Sequence, residues 1–134
     1  MMAAATISEI SDLDCITLFV EDLAASKRFY SEIFDLDIVY EDPVSTVFKL
    51  GSVMLNLLKI SEALDLIMPA KVADRSAGQR LMFTVLVPNV DEVCGKLKSL
   101  GIQLLNGPQD RPWGRRTVAF ADPAGQVWEL AHAI

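Results

Sequence analysis

The sequence predicts an α+β fold of two βαβββ modules, in which about eight strands form a curved mixed β-sheet with a concave cleft. The first observation is an internal repeat: the strand-like segment at residues 15–20 recurs half a chain length later, at residues 82–87. The second is that a residue suited to cap a helix follows at the same offset, Asp22 and then Asn89. Each half therefore predicts the order strand–helix–strand–strand–strand.

In the first half, β-branched and aromatic residues predict the opening strand. After Asp22, apolar residues from Leu23 to Phe34 fall on one side of a helix. Gly51 and Ser52 then form the turn of a hairpin. The predicted strands are residues 14–20, 36–40, 44–50 and 53–59.

In the second half, Asn89 caps a helix with a regular apolar stripe, and Gly101 lies where a left-handed residue ends it. Residues 106–114 are predicted to be a polar loop. The turn at residues 122–125, Asp-Pro-Ala-Gly, predicts a closing hairpin. The predicted strands are residues 81–87, 102–105, 117–121 and 127–130.

The chain is the size of one domain, residues 1–134, with modules at 13–60 and 80–134. Residues 1–12 are predicted to be a loose leader. Residues 61–79 are predicted to be a linker with a short helical turn, which either covers the cleft as a flap or packs against a partner subunit.

Composition narrows the class of partner. The net charge of −6 and the pI of about 4.6 argue against nucleic acid or an anionic membrane. No apolar run is long enough for a membrane span, and the N-terminus lacks a signal-peptide pattern. Cys15 and Cys94 give neither a disulfide framework nor a CxxC pair. We therefore expect a cytoplasmic protein.

Glu129 stands between Trp128 and Leu130 in an apolar strand, where an ionised carboxylate needs a partner. Two interpretations stay open. Glu129 either accepts a hydrogen bond from a ligand or forms a buried ion pair with Arg80, Arg115 or Arg116. His132 lies three residues further on and so points to the opposite face, which predicts a surface or interface histidine.

Several stretches resemble the vicinal oxygen chelate superfamily, which includes glyoxalase, bleomycin-resistance and extradiol-dioxygenase proteins. They are residues 13–23 (LDCITLFVEDL) with Phe29-Tyr30, residues 87–91 (VPNVD), and residues 112–130 with the DPxGxxxEL pattern. The resemblance implies the paired-module fold and a homodimer. In the enzymes it implies a divalent metal, held by His or Glu from the first and last strand of each module.

At those positions this chain carries Cys15, Asn56 (or Leu55), Met82 and Glu129. Of these, Glu129 alone is of the family's ligand type. Hard cations want several oxygen ligands and catalytic zinc wants three His or carboxylate ligands, so the resemblance implies a degenerate metal site and no metal cofactor.

The sequence thus predicts a small-molecule cleft and assigns no catalytic residue. Trp113 lies in a loop flanked by Pro and Gly, where an indole either stacks on a flat ligand or fills a dimer interface. Two hypotheses follow: a metal-independent binder of a hydrophobic or aromatic molecule, or a metal-dependent glyoxalase-like lyase, isomerase or dioxygenase with a divergent site. The predicted cleft residues are Cys15, Thr17, Asn56, Met82, Trp113, Arg115 and Glu129.

Overall fold

A computed structural model describes residues 6–134, and the eight strands within that range form two four-stranded sheets. The first sheet has the order β1-β4-β3-β2 and the second the order β5-β8-β7-β6. The first module comprises β1 (Cys15–Val20), α1 (Leu23–Glu32), β2 (Ile38–Asp42), β3 (Ser45–Leu50) and β4 (Val53–Lys59). The second comprises β5 (Phe83–Leu86), α3 (Val90–Ser99), β6 (Leu104–Arg111), β7 (Arg115–Ala121) and β8 (Val127–Ala133). The short helix α2 (Leu64–Ile67) lies between them.

The two modules have the same topology, which confirms the paired βαβββ fold. In each, the first and last strands are parallel neighbours and the other pairs are antiparallel. The eight strands are divided between two sheets of four, and no strand pairing links the two sheets within residues 6–134.

Both predicted helix caps are confirmed. The Asp22 carboxylate accepts from the backbone N–H of Ala25 at 3.0 Å, and the Asn89 side chain accepts from that of Glu92 at 3.1 Å. Each bond satisfies an N–H that a helix start would leave unpaired. Gly101 follows α3 with φ of 80°, the left-handed conformation that the sequence predicts.

The polar loop predicted at residues 106–114 is wrong in its first part. Strand β6 continues to Arg111, with two register shifts between Leu104 and Gln109. One face of β6 is open to solvent, so its polar residues are compatible with a strand although they resemble a loop. Gly107 permits the close approach, because a Cβ there would lie 2.4 Å from the carbonyl oxygen of Thr117.

One hydrophobic core joins the modules. Apolar side chains from one face of each sheet meet between the sheets, together with the inner sides of α1 and α3. The ring of Phe34, just after α1, lies 4.9 Å from that of Trp128 on β8, and the ring of Phe29 on α1 lies 6.3 Å from that of Phe120 on β7. Each sheet thus turns its helix-covered face toward the other module. Its second face, here called the open face, lies on the outer side, away from the shared core.

The linker has little regular structure and consists of α2 and two 3-10 turns. Arg75 anchors it by donating from Nη1 to the carbonyl oxygen of Pro123 at 2.9 Å. Residues 72–75 and 78–81 line a cavity of about 330 Å³ with Thr17 and Phe19. This part of the linker therefore lies beside the open face of β1. Between residues 6 and 134, no helix has the length and apolar character needed to cross a membrane.

Candidate functional site

A matched pair of polar residues marks the open face of each module. Thr17 on β1 lies opposite Asn56 on β4, and Thr84 on β5 lies opposite Glu129 on β8. The two pairs hold equivalent places, since each joins the first and last strands of its module. The structure thus places Asn56 and Glu129 as counterparts.

The two counterparts are bonded differently. The Asn56 amide nitrogen donates to Thr17 Oγ1 at 3.4 Å, and its carbonyl oxygen is buried with no partner among the described residues. Glu129 is half-buried, and its Oε1 accepts from the Thr84 hydroxyl at 3.0 Å. Glu129 forms no ion pair within residues 6–134, so the interpretation as a buried ion pair with an arginine is wrong.

The remaining ligand-type positions are a thiol and a thioether. Cys15 is exposed at the start of β1, with its Sγ 3.7 Å from the carbonyl oxygen of Ile16. Met82 is exposed just before β5. Cys15 and Asn56 belong to the first sheet, whereas Met82 and Glu129 lie next to and within the second, and no strand pairing joins the two sheets within the described residues.

The donor chemistry does not fit a divalent metal of the kind that the family's enzymes use. No group of three or more His, Cys, Asp or Glu side chains close enough to hold a metal occurs in residues 6–134. The four positions would supply one carboxylate, one amide oxygen, one thiol and one thioether. Thiol and thioether sulfurs favour soft cations, whereas carboxylate and amide oxygens favour hard ones.

An ordered arginine, Arg111, lies on the open face of the second module and was missed from the sequence. Its Nε donates to Thr117 Oγ1 at 2.9 Å and its Nη2 to Asn106 Oδ1 at 3.0 Å. The Gln109 amide oxygen, turned toward the guanidinium, accepts from Nη2 at 2.9 Å and from Nη1 at 3.2 Å. All three acceptors are uncharged, so the guanidinium is held in place without being neutralised. No regular alternation along β6 could have revealed it, because residues 109–111 are all polar and follow Gly107 and Pro108.

Arg115 lies directly opposite Arg111 across the β6–β7 pair. Arg115 has no hydrogen-bond or ion-pair partner within residues 6–134. The nearby acids are engaged elsewhere, because Asp91 and Asp110 both accept from Arg116 on the opposite face of β7. The Arg116 hydrogen bonds hold the pKa of Asp91 below its ordinary value.

Trp113 lies in the turn that joins β6 to β7 and is 67% exposed. The Arg111 guanidinium carbon is 6.0 Å from the centre of its ring. Trp113 and Arg115 therefore lie at the same end of the second open face as Arg111, the last residue of β6. Glu129 lies further along that face. It pairs with Ala119, which is four residues along β7 from Arg115, or roughly 13 Å at a strand's rise per residue.

The closing hairpin also holds a buried carboxylate, that of Asp122. Tyr30 on α1 donates to Asp122 Oδ2 at 2.5 Å, and the Trp128 indole donates to Tyr30 Oη at 2.9 Å. Asp122 Oδ1 also accepts from the backbone N–H groups of Ala124 and Gln126. Burial raises the pKa of Asp122, and burial beside Asp122 raises the pKa of Tyr30. This network ties the two modules together through the core.

His132 lies on the face opposite Glu129, as the sequence predicts, and is partly buried there. Its Nδ1 accepts from the backbone N–H of Val90 at 2.8 Å, so it helps to satisfy the start of α3. The sequence did not predict this backbone contact, and an interface role for His132 stays a prediction. Cys94 is buried in the core.

Comparison with known proteins places this geometry in a family. The sequence profile of the Glyoxalase/Bleomycin resistance protein/Dioxygenase superfamily matches residues 12–130. The chain is 30% identical over 122 residues to the fosfomycin resistance protein FosX of Listeria innocua, covering 90% of this chain and 89% of that one.

Comparison with solved structures gives the same fold. The chain is similar to a lactoylglutathione lyase from Agrobacterium tumefaciens, with 28% identity, a TM-score of 0.74, and coverage of 90% of this chain and 92% of that one. It shares the fold of TnmS3, an antibiotic binding protein from Streptomyces sp. CB03234, with 23% identity, a TM-score of 0.71, and coverage of 96% and 100%. The chain therefore belongs to the Glyoxalase/Bleomycin resistance protein/Dioxygenase superfamily.

Proposed function

We propose that this protein is a metal-independent binder of a hydrophobic or aromatic small molecule, of the resistance or sequestration type. The observation that carries the proposal is the set of side chains at the four ligand-type positions. Cys15 and Met82 offer only sulfur, a poor ligand for hard cations, so at most two of the four side chains supply oxygen, and Glu129 already accepts a hydrogen bond from Thr84. The similarity to proteins named for antibiotic resistance and antibiotic binding supports the same class.

The proposed cleft lies between two subunits. The open faces of one chain lie on the outer sides of its sheets, so neither can cover the other. Apolar side chains are exposed on and next to the edge strand β5, at Leu81, Met82 and Leu86. A second copy that places the open face of its first module over the second module would cover these side chains and enclose a ligand. We therefore propose a homodimer, which light scattering at micromolar concentration would show as twice the chain mass.

The test of the binding class uses metal content and a neutral aromatic probe. After dialysis, elemental mass spectrometry should find no stoichiometric Zn, Fe, Mn or Ni. N-phenyl-1-naphthylamine, whose fluorescence rises in apolar surroundings, should bind equally with and without EDTA. Near-unit metal occupancy, together with probe binding that EDTA abolishes, would overturn the proposal. It would favour the alternative, a metal-dependent lyase, isomerase or dioxygenase.

A further inference from the structure

The second open face holds two arginine side chains opposite each other, in a chain whose net charge is −6. Like charges directly across a strand pair destabilise a sheet. Arg111 and Arg115 form no ion pair within residues 6–134, although Arg116, the next residue after Arg115, has two carboxylate partners. Two neighbouring arginines without a carboxylate partner are suited to bind an anion that comes from a ligand.

Arg111 is held in a fixed position. Thr117, which is fully buried, accepts from Nε, and Asn106 and Gln109 accept from the far end of the guanidinium. Since these acceptors are neutral, they orient the planar group and leave its charge available. An oriented guanidinium is the group that best recognises a planar oxyanion through paired hydrogen bonds.

An aromatic ring borders the same site. Trp113 stands beside the Arg111 guanidinium, and its indole is mostly exposed. A flat ligand that stacks on Trp113 would bring a charged substituent next to the two arginines. The opposite end of the ligand would extend along the open face toward Glu129.

We propose that the ligand of this protein is an aromatic anion, whose carboxylate or sulfonate group binds between Arg111 and Arg115. The inference rests on the proposed binding function and specifies its ligand class. Arg111 supplies an oriented hydrogen-bonding edge. Arg115 supplies a second charge, and its guanidinium N–H groups have no partner within the described residues. Trp113 supplies the stacking surface.

Two probes with the same ring system test the inference. They are 1-anilinonaphthalene-8-sulfonate, which carries a sulfonate, and N-phenyl-1-naphthylamine, which lacks it. Fluorescence titration of the purified full chain should show the sulfonate binding more tightly than the neutral probe. The double variant Arg111→Gln/Arg115→Gln should weaken sulfonate binding about tenfold or more, the size expected for losing charge-assisted hydrogen bonds. Binding of the neutral probe should stay within about twofold.

The double variant Arg28→Gln/Lys98→Gln is the charge-matched control, because both residues are exposed on the helices, Arg28 on α1 and Lys98 on α3. It should leave binding of both probes unchanged, and circular dichroism should show that every variant is folded. Equal loss in Arg28→Gln/Lys98→Gln, or unchanged sulfonate binding in Arg111→Gln/Arg115→Gln, would overturn the assignment of the anion to these arginines. If the neutral probe binds and the sulfonate does not, the inference fails while the proposed function stands. If neither probe binds, both fail.

Discussion

Asp122 and Glu129 belong to the same β7–β8 hairpin, and their surroundings differ in every respect. Asp122 faces the shared core and accepts from Tyr30 and from two backbone N–H groups. Glu129 faces the open side and accepts from Thr84 alone. An acid that the fold requires has its hydrogen bonds completed from within the chain. Glu129 keeps free acceptor positions on the open side, which is why the proposed site includes Glu129 and not Asp122.

The same contrast holds for the arginines of β7. Arg116 has its charge balanced by Asp91 and Asp110, whereas its neighbour Arg115 has no acid partner within residues 6–134. Alternation along the strand places the two on opposite faces. On the helix-covered side of the second module, carboxylates thus balance the arginine charge of β7, whereas on the open side they do not.

The largest effect is expected from removing the structural acid. Asp122→Ala leaves Tyr30 and two backbone N–H groups without their acceptor in the core, so unfolding free energy should fall by about 3 kcal/mol. Asp122→Asn keeps an oxygen for the backbone donors and should cost about 1 kcal/mol. Urea unfolding of both variants measures the difference. Equal, near-zero losses would show that the network does not hold the modules together.

The next effect is the pH dependence of the stability that Asp122 contributes. Because burial raises the folded pKa of Asp122, the folded state holds this proton more tightly than the unfolded state does. Its stabilising contribution is therefore fully present below the unfolded pKa of about 3.9 and is lost as pH rises through the folded pKa. Asp122→Asn does not titrate, so the stability of wild type relative to this variant should fall from pH 4 to pH 7.

Comparison with the variant is needed because other acids act in the opposite direction. Hydrogen bonds lower the pKa of Asp42 and Asp91, so their contributions are lost as pH falls. These contributions are common to wild type and Asp122→Asn and cancel in the difference. A difference that rises with pH would contradict the raised pKa of Asp122.

Local patterns in the sequence predicted most of the fold. The repeat, the caps at Asp22 and Asn89, and the turn at Asp122 each depend on neighbours within a few residues, so periodicity and turn chemistry were enough. The Tyr30–Asp122 contact joins residues 92 apart in sequence and depends on how the modules pack. The sequence instead directed attention to Glu129, because its neighbours Trp128 and Leu130 are apolar. In the structure these two neighbours are buried on the other face of β8.

The site was predicted only in part, for a related reason. Family-type positions could be matched along the chain, but the structure shows that the open faces of one chain lie apart. Arg111 was missed because the polar residues of β6 resemble a loop. Gly107 and Pro108 interrupt the strand pattern, and the register shifts between Leu104 and Gln109 depend on how β6 pairs with β7, which local periodicity does not reveal.

A smaller effect is expected at Trp113. Trp113→Ala removes the proposed stacking surface and should weaken binding of N-phenyl-1-naphthylamine by about 2- to 13-fold, corresponding to about 0.5–1.5 kcal/mol. Trp113→Phe keeps an aromatic ring and should retain most of the affinity. The loss should be the same with and without EDTA. Unchanged affinity in Trp113→Ala would instead assign the indole to the subunit contact.

The smallest effect is expected from Glu129→Gln, which sharpens the contrast with Asp122. The glutamine carbonyl oxygen can still accept from Thr84, and the side chain is half-buried on the open face. Unfolding free energy should therefore change by no more than about 0.5 kcal/mol, against about 1 kcal/mol for Asp122→Asn. The same urea titrations measure both substitutions, and each replaces a carboxyl group with an amide of the same size. If Glu129→Gln destabilises the protein as much as Asp122→Asn, then Glu129 is a second structural acid and is not held in reserve for a ligand.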